Sequence, residues 1–416
     1  MEPTSPTIDE ILCAALDIGE HILKYGGEVR RVEDTIERIG RAFGAVHVEV
    51  FCVTSFLIAS LRMPDGTYQQ QMRRVKHVRD RLFIVEDMNA LSRELCAGQV
   101  ALSEVRARIC QARQRRPYPL WVSLLAVFIF GLGVTLFAGG TLRDALCAAL
   151  AGYPVFLLSR RAPKGVNPMV MTVFSAFIAA TVALGLVALG LGEHVGFVMA
   201  GTLMHLVPGL AFGNSLRDML GGDTLAGLMR LFHTVLVALM LALGFAAALF
   251  MFHDASALGN GEAAWYVLLP SGIVLTVGYA VQIELSPRRL PWVASGSLVA
   301  TVVYALCLPL GDFVCNLLSS LAVMLYCELA ARPAKAPVIT FLTPSIIALV
   351  PGSLLYYTIH YYISGAYDAA LAYGNRMLAA FFGIAAGILL GSILASYLFR
   401  MIKARDRRHT GGAQAQ

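Results

Sequence analysis

Leu206-Val207-Pro208-Gly209 and Leu349-Val350-Pro351-Gly352 are the same four-residue sequence, 143 positions apart, and each lies inside a long apolar run. Proline removes a backbone donor and clashes with the preceding helical turn, while glycine adds conformational freedom. Each copy therefore predicts a helix that breaks within a membrane span. The half-helix that follows would begin near the membrane centre, where its N–H groups attract a carboxylate.

Apolar runs of membrane-spanning length surround both copies. The chain is 57% hydrophobic and 14% charged, whereas soluble domains carry about 25% charged residues. A span needs about 20 mostly apolar residues and must be helical, because backbone groups cannot stay unpaired in lipid. We predict about ten spans, at residues 120–138, 141–158, 169–191, 195–215, 224–251, 263–285, 291–310, 312–330, 337–355 and 376–399.

The same offset of 143 residues carries the first predicted span onto the sixth, the third onto the eighth and the fourth onto the ninth. Each copy would hold an odd number of spans, so the second copy would be inserted upside down. Inverted repeats are characteristic of secondary transporters with a binding site at the membrane midplane. The predicted fold is a polytopic α-helical membrane protein with two inverted five-helix repeats, at residues 117–258 and 259–400.

Basic residues predict the orientation of these spans. Arg113, Arg115 and Arg116 precede the first span, and Arg160 and Arg161 follow the second. Cytoplasmic loops collect Lys and Arg. The pattern predicts cytoplasmic N- and C-termini, with residues 401–416 as a basic cytoplasmic tail. The polar N-terminus also lacks a signal peptide. The net charge of +6 therefore reflects topology, and we expect no nucleic-acid partner.

Residues 1–116 carry 17 of the 33 Lys+Arg and 16 of the 27 Asp+Glu, which predicts a cytoplasmic domain. Helical periodicity at 8–25, 29–43 and 85–116 and β-rich runs at 46–61 and 67–75 predict an α+β fold. Walker A, H-E-x-x-H and G-x-S-x-G motifs are absent. The eight cysteines form no C-x-x-C pair. We expect no cofactor, no metal and no catalytic residue.

Polar residues near the breaks are the candidate site. His205 adjoins the first break and His233 lies in the fifth span, so either imidazole could carry a coupling proton. A buried, hydrogen-bonded histidine is the structural alternative. Arg230 could bind a substrate carboxylate, pair with Asp218 or Asp223, or extend to the inner membrane surface. The predicted substrate-binding set at the breaks comprises His205, Pro208, Gly209, Asn214, Arg217, Asp218, Arg230, Pro351 and Gly352.

Two stretches carry a resemblance to a known family. The first is 31–38 (RVEDTIER) followed by 41–44 (RAFG). The second is the first break with Asn214, Arg217-Asp218, Gly222-Asp223, Gly227 and Arg230. Together with Thr343-Pro344, the second break and Tyr356, they resemble the threonine/serine exporter family over residues 8 to 400. One departure is Val53-Thr54-Ser55, where the family usually has a proline-threonine pair.

The resemblance implies a bacterial inner-membrane exporter, or antiporter, of small hydroxy amino acids, driven by the proton motive force. It adds Tyr356 to the substrate-binding candidates. It also implies that some relatives split the two modules between two proteins, some of which are linked to dicarboxylate export. Three functions stay open: export of threonine and serine, export of a dicarboxylate such as succinate, and a hydrolase or regulator acting through residues 1–116. A second cationic group near the breaks, beyond Arg230 and Arg217, would favour the dicarboxylate. Homo-oligomerisation stays open as well.

Overall fold

The computed structural model describes residues 6–76, 79–161, 165–207, 211, 215, 218–219, 222–252 and 263–412. The first break, Pro208-Gly209, and the candidate residues Asn214 and Arg217 lie outside the described residues. The described chain divides into two compact units. One comprises residues 1–126, 208–240 and 278–290, and the other comprises residues 127–207, 241–277 and 291–416.

The N-terminal αβ segment, Ile8 to Gln114, contains four α-helices and a three-stranded antiparallel sheet in the order β1-β2-β3. A capping box starts the first helix, because Thr7 accepts from the Glu10 N–H and the Glu10 side chain accepts from the Thr7 N–H. The elements are α1 Ile8–Lys24, α2 Val29–Ala42, β1 His47–Val53, β2 Phe56–Arg62, β3 Tyr68–Arg74, α3 Leu82–Cys96 and α4 Val105–Gln114.

Two predicted runs in this segment are each divided in two. The β-rich run 46–61 is a hairpin in which Val53 pairs with Phe56 across Thr54-Ser55. That loop lacks the glycine or asparagine that usually signals such a turn. The helical run 85–116 stops after α3, where Gly98 takes the left-handed conformation with φ 71°. A 3-10 turn, Leu102–Glu104, precedes α4.

The remainder of the described chain is helical. Among the described residues, eight helices are long and apolar enough to cross a membrane, so the protein is a polytopic helical membrane protein. The helices are α5 Leu120–Phe137, α6 Leu142–Arg161, α7 Pro168–Ala188, α8 Val195–Leu203, α9 Thr224–Met251, α10 Trp265–Gln282, α11 Leu290–Cys307, α12 Asp312–Ala334, α13 Val338–Ser345, α14 Gly352–Ile363 and α15 Tyr367–Gly412.

The second predicted break is observed. Helix α13 ends at Ser345, a 3-10 turn covers Ile347–Leu349, and α14 begins at Gly352. The two parts bend by 44° and count as a ninth span when taken together. The predicted fourth span, 195–215, begins with α8 and then runs into residues outside the described set. The number of spans therefore stays a prediction.

Two pairs of helices begin 143 residues apart, the same offset as the repeated tetrapeptide. Helix α8 begins at Val195 and α13 at Val338, while α9 begins at Thr224 and α15 at Tyr367. Glycines at the same offset make equivalent approaches. A Cβ on Gly244 would meet the Val173 carbonyl and Ala176 in α7, and a Cβ on Gly387 would meet the Leu317 carbonyl and Ser320 in α12. The geometry at these named positions is thus alike, and the repeat as a whole stays a prediction.

Candidate functional site

A cavity of about 660 Å³ lies beside the second break, within one compact unit. Its wall includes the whole stretch from Ile347 to Leu354, so the 3-10 turn, Pro351 and the first turn of α14 all face it. Pro351 has φ −80° and ψ 58°, outside the helical region, which separates the two half-helices. The Gly352 N–H donates to the Val350 carbonyl oxygen at 2.8 Å, and the next two residues of the first turn, Ser353 and Leu354, also line the cavity with their N–H groups at the start of α14. The predicted residues Pro351 and Gly352 are therefore brought to one site.

The charged side chains among the described lining residues are Asp312 and Arg376. Asp312 is the first residue of α12, and Arg376 lies in the third turn of α15. Arg376 donates from Nε to Oδ2 of Asp312 at 2.8 Å and from Nη2 to Oδ1 at 3.2 Å. The Asp312 side chain is 26% exposed and the Arg376 side chain is 53% exposed. The cavity therefore carries one negative and one positive group in its described wall.

Asn316 adds a buried polar group to the same wall. It is 3% exposed, and its Nδ2 donates to the Asp312 carbonyl oxygen at 2.8 Å. Its Oδ1 accepts no hydrogen bond from the described residues. Buried polar atoms are nearly always paired. A buried acceptor beside a cavity that receives no hydrogen bond from the described residues is suited to a donor on a bound solute.

Close packing holds the second break against the first half of the chain. A Cβ on Gly352 would collide with the Met204 sulfur, just after α8, so a larger residue there would require the Met204 side chain to move. A Cβ on Gly196 in α8 would lie 2.8 Å from the Tyr357 hydroxyl. Helix α8 therefore packs directly on α14. The two segments that flank the repeated tetrapeptides lie together in this unit.

Two other predicted residues, Tyr356 and His205, are sequence neighbours of the lining residues Tyr357 and Met204. Tyr356 is 2% exposed and packs on Phe245 and Tyr357, and it is Tyr357 that lines the cavity. His205 lies two residues beyond α8 and is half-buried, with its ring 4.8 Å from that of Phe130. A Cβ on Gly152 would lie 2.6 Å from Nε2 of His205. His205 is thus held between α5 and α6.

Asp218 and Arg230 belong to the other compact unit. Nε of Arg230 lies 3.3 Å from Oδ2 of Asp218, and the two side chains are 12% and 2% exposed, respectively. Asp218 also accepts from the N–H of Val29, the first residue of α2. Burial raises the pKa of Asp218 to about 6, with the Arg230 charge opposing the shift and Glu28 adding to it. The structure therefore joins Asp218 and Arg230 to each other and to α2.

An acidic cavity of about 830 Å³ lies beside α2 in the same unit. Glu33 accepts from the Cys52 N–H at 3.0 Å. Burial, together with the charge of Asp223, raises the pKa of Glu33 to about 7. The charged residues in the described wall are Arg30, Glu33, Asp34, Glu37, Glu49 and Asp223. This mostly acidic wall attracts cationic solutes.

His233, the second predicted proton carrier, is exposed on α9. Within the described residues, the one group of histidine, cysteine or carboxylate side chains spaced for a metal ion is Asp144, Glu193 and His194. The fully buried Asp144 accepts from the backbone N–H groups of Glu193 and His194 and from Thr141. Its oxygens are therefore already engaged, and the group serves to hold the start of α8.

Comparison with known proteins matches both halves of the chain. Residues 14–252 match the family model of threonine/serine exporters. Residues 271–394 match a second model, "Threonine/Serine exporter, ThrE". The chain belongs to the threonine/serine exporter family. The resemblance in the sequence motifs is thereby confirmed, and the protein is a multi-pass membrane transporter of this family.

Two relatives cover different lengths of the chain. A "Probable threonine/serine exporter" of Mycobacterium tuberculosis is 23% identical over 421 residues, covering 95% of this chain and 79% of the relative. A "Probable succinate transporter subunit YjjP" of Klebsiella aerogenes is 26% identical over 239 residues, covering 56% of this chain and 90% of the relative. No solved structure matches the chain.

Neither Asp312 nor Arg376 was selected as a site residue from the sequence. Their cavity and their pairing join residues 64 positions apart, which no local pattern shows. One signal was present in the sequence. Arg376 stands 143 residues after His233, so the repeat offset relates it to a residue already chosen for its charge.

Proposed function

We propose that this member of the family exports small hydroxy amino acids, L-threonine and L-serine, across the bacterial inner membrane. The solute would bind at the broken span α13–α14 and cross by alternating access between two inverted five-helix repeats. The proton motive force would drive the export. The N- and C-termini would be cytoplasmic, and the protons would move inward as the amino acid moves outward.

The observation that carries the proposal is the charge balance of the cavity beside Pro351-Gly352. Its described wall holds one carboxylate and one guanidinium, together with the N–H groups that begin α14. A free amino acid has one ammonium and one carboxylate group, so both of its charges find a partner there. A dicarboxylate would place one carboxylate on Arg376 and the other near Asp312. The succinate hypothesis is favoured by a cationic group near the breaks beyond Arg230 and Arg217, and Arg376 is such a group. What disfavours a dicarboxylate is the Asp312 carboxylate in the same wall, which would repel the second carboxylate of the solute.

Equivalent helix starts and glycine contacts in the two halves support the repeat on which alternating access depends. Of the two proposed proton carriers, His205 is the better placed. It is half-buried between α5 and α6, whereas His233 is exposed on α9. The other substrate-binding candidates, including Tyr356, Asp218 and Arg230 and the undescribed Pro208, Gly209, Asn214 and Arg217, remain proposals.

The test is uptake into inside-out membrane vesicles, in which export appears as accumulation. Labelled threonine, serine and succinate are each offered with an acidic vesicle interior and with the gradient collapsed. We expect threonine and serine to accumulate only with the gradient. The variant Pro351→Ala should lose this uptake, and Pro270→Ala, an exposed proline inside α10, should keep it.

The other outcomes separate the three functions. Accumulation of succinate alone would keep a transporter and replace its substrate with a dicarboxylate. Accumulation without a gradient would contradict proton coupling. Absence of transport for all three solutes, from a folded protein, would favour the hydrolase or regulator hypothesis for residues 1–116.

A further inference from the structure

We propose that Asp312 and Arg376 are the two poles of a zwitterion site, a statement that rests on the function proposed above. The Asp312 carboxylate would bind the ammonium group of the amino acid, and the Arg376 guanidinium would bind its α-carboxylate. Both side chains line the cavity beside the second break. Neither was a candidate on sequence grounds.

The geometry of the pair fits this role. Arg376 presents a two-point fork to Asp312, with N–O distances of 2.8 and 3.2 Å. A guanidinium fork matches the two oxygens of any carboxylate, including that of a solute. Arg376 lines the cavity and is 53% exposed, so its side chain is not sealed by protein. In the absence of solute the two poles neutralise each other, and an arriving zwitterion can replace each partner with its own opposite charge.

The two poles are anchored on different helices. Asp312 begins α12 directly after Gly311, which has φ 85°, and its carbonyl oxygen is held by Asn316. Arg376 projects from α15, and a Cβ on Gly387, about three turns further along, would press against α12. The distance between the poles is therefore set by rigid packing. A solute with one charge of each sign would bridge the two helices.

Asn316 would accept a hydrogen bond from a further donor of the solute, such as its hydroxyl group. Its Oδ1 is buried in the cavity wall and accepts no hydrogen bond from the described residues. A hydroxyl group of serine or threonine, or an ammonium N–H, can donate to it. Sites that hydrogen-bond a solute hydroxyl strongly disfavour analogues without one, because a buried protein group is then left unpaired.

The test is a charge swap in the full-length protein reconstituted into proteoliposomes. Asp312→Asn and Arg376→Gln should each raise the KM for threonine by about tenfold or more. The double variant Asp312→Arg with Arg376→Asp keeps an ion pair but reverses the poles relative to the start of α14 and Asn316. We expect this swap to remain as impaired as the single variants. The matched control is the exchange of Arg143 and Glu193, an exposed pair at 3.5 Å, which should transport normally.

A swap variant that transports threonine with the wild-type KM would show that the pair is only structural and would overturn the proposal. A second measurement uses the wild type alone, as inhibition of threonine transport. Two analogues of serine serve as inhibitors: its amino alcohol, which lacks the carboxylate, and its hydroxy acid, which lacks the ammonium group. Each should inhibit threonine transport about tenfold less well than serine. If the amino alcohol inhibits as well as serine, Arg376 does not bind the carboxylate. If the hydroxy acid inhibits as well as serine, Asp312 does not bind the ammonium group. A wild type that transports no amino acid would instead contradict the proposed function.

Discussion

Nε of Arg230 lies 3.3 Å from Oδ2 of Asp218, and both side chains are almost fully buried. Removing one partner of such a pair leaves an uncompensated charge, which costs about 3–5 kcal/mol. We expect Arg230→Gln and Asp218→Asn each to lower the free energy of unfolding by about 3 kcal/mol. The measurement is the unfolding midpoint of the full-length protein in detergent.

The double variant Asp218→Asn with Arg230→Gln provides the control for this first prediction. It leaves no unpaired charge, so its loss should be smaller than the sum of the two single losses. The exposed pair Arg143–Glu193 supplies the comparison, because breaking it should cost less than about 1 kcal/mol. Single variants at Asp218 and Arg230 that cost no more than this would contradict a buried ion pair.

The start of α3 is held by the turn after α10. Nε of Arg81 lies 2.6 Å from Oε2 of Glu284, and the N–H groups of Leu82 and Phe83 donate to the carbonyl oxygens of Ile283 and Glu284. We expect Arg81→Glu to speed amide hydrogen exchange at Leu82 and Phe83, because it places two negative groups together. Adding Glu284→Arg should restore slow exchange. Lys76→Glu, at an exposed position, should leave it unchanged. Fast exchange in the double variant would mean that the ion pair does not hold this junction.

Local signals in the sequence were enough for much of this fold. The apolar runs and the Pro351-Gly352 step predicted helices and a broken span, because both depend on the chemistry of adjacent residues. The N-terminal αβ segment was also predicted by periodicity and by turn residues such as Gly66. The hairpin at Thr54-Ser55 was missed, since its turn uses neither glycine nor asparagine.

The candidate site was harder to predict, because it is made by tertiary contacts. Asp312 and Arg376 are 64 residues apart, and Arg81 and Glu284 are 203 residues apart. Each of these residues alone resembles an ordinary charge at the end of a helix. Burial also separates residues that are adjacent in sequence: Tyr357 lines the cavity, and Tyr356 is packed on Phe245.

Gly387 brings α15 against α12, where a Cβ would collide with the Leu317 carbonyl and the Ser320 hydroxyl. We expect Gly387→Ala to lower the free energy of unfolding by about 1–3 kcal/mol through overpacking. Gly374→Ala is the matched control on the same helix, because its Cβ would approach only Thr358, at 3.5 Å. That variant should be neutral or slightly stabilising.

The same contact tests the repeat. Gly244→Ala should cost about as much as Gly387→Ala, since its Cβ would press on the Val173 carbonyl in α7. The readout is again the unfolding midpoint in detergent. A neutral Gly244→Ala beside a damaging Gly387→Ala would argue against equivalent packing in the two halves.

Glu33 predicts how stability depends on pH. Burial and the Asp223 charge raise its pKa from 4.5 to about 7 in the folded protein. The folded state therefore keeps a proton that the unfolded state releases between these values. The stabilisation from this group is complete below pH 4.5 and is lost as the pH rises through 7. We expect the unfolding midpoint of the wild type to decrease as the pH is raised from 5 to 8.

The variant Glu33→Gln has no ionisable group at this position, so its unfolding midpoint should decrease less over the same range. The midpoint curves of the wild type and the variant should therefore diverge as the pH rises. The charges facing Glu33 are Asp34, Asp218 and Asp223, and these remain in the variant, so the difference between the curves isolates one carboxyl group. Glu37→Gln is the control, because Glu37 lines the same cavity but is 41% exposed and paired with Arg41. Parallel curves for the wild type and Glu33→Gln would show that Glu33 ionises alike in the folded and unfolded states, and a diverging Glu37→Gln curve would move the effect to the cavity as a whole.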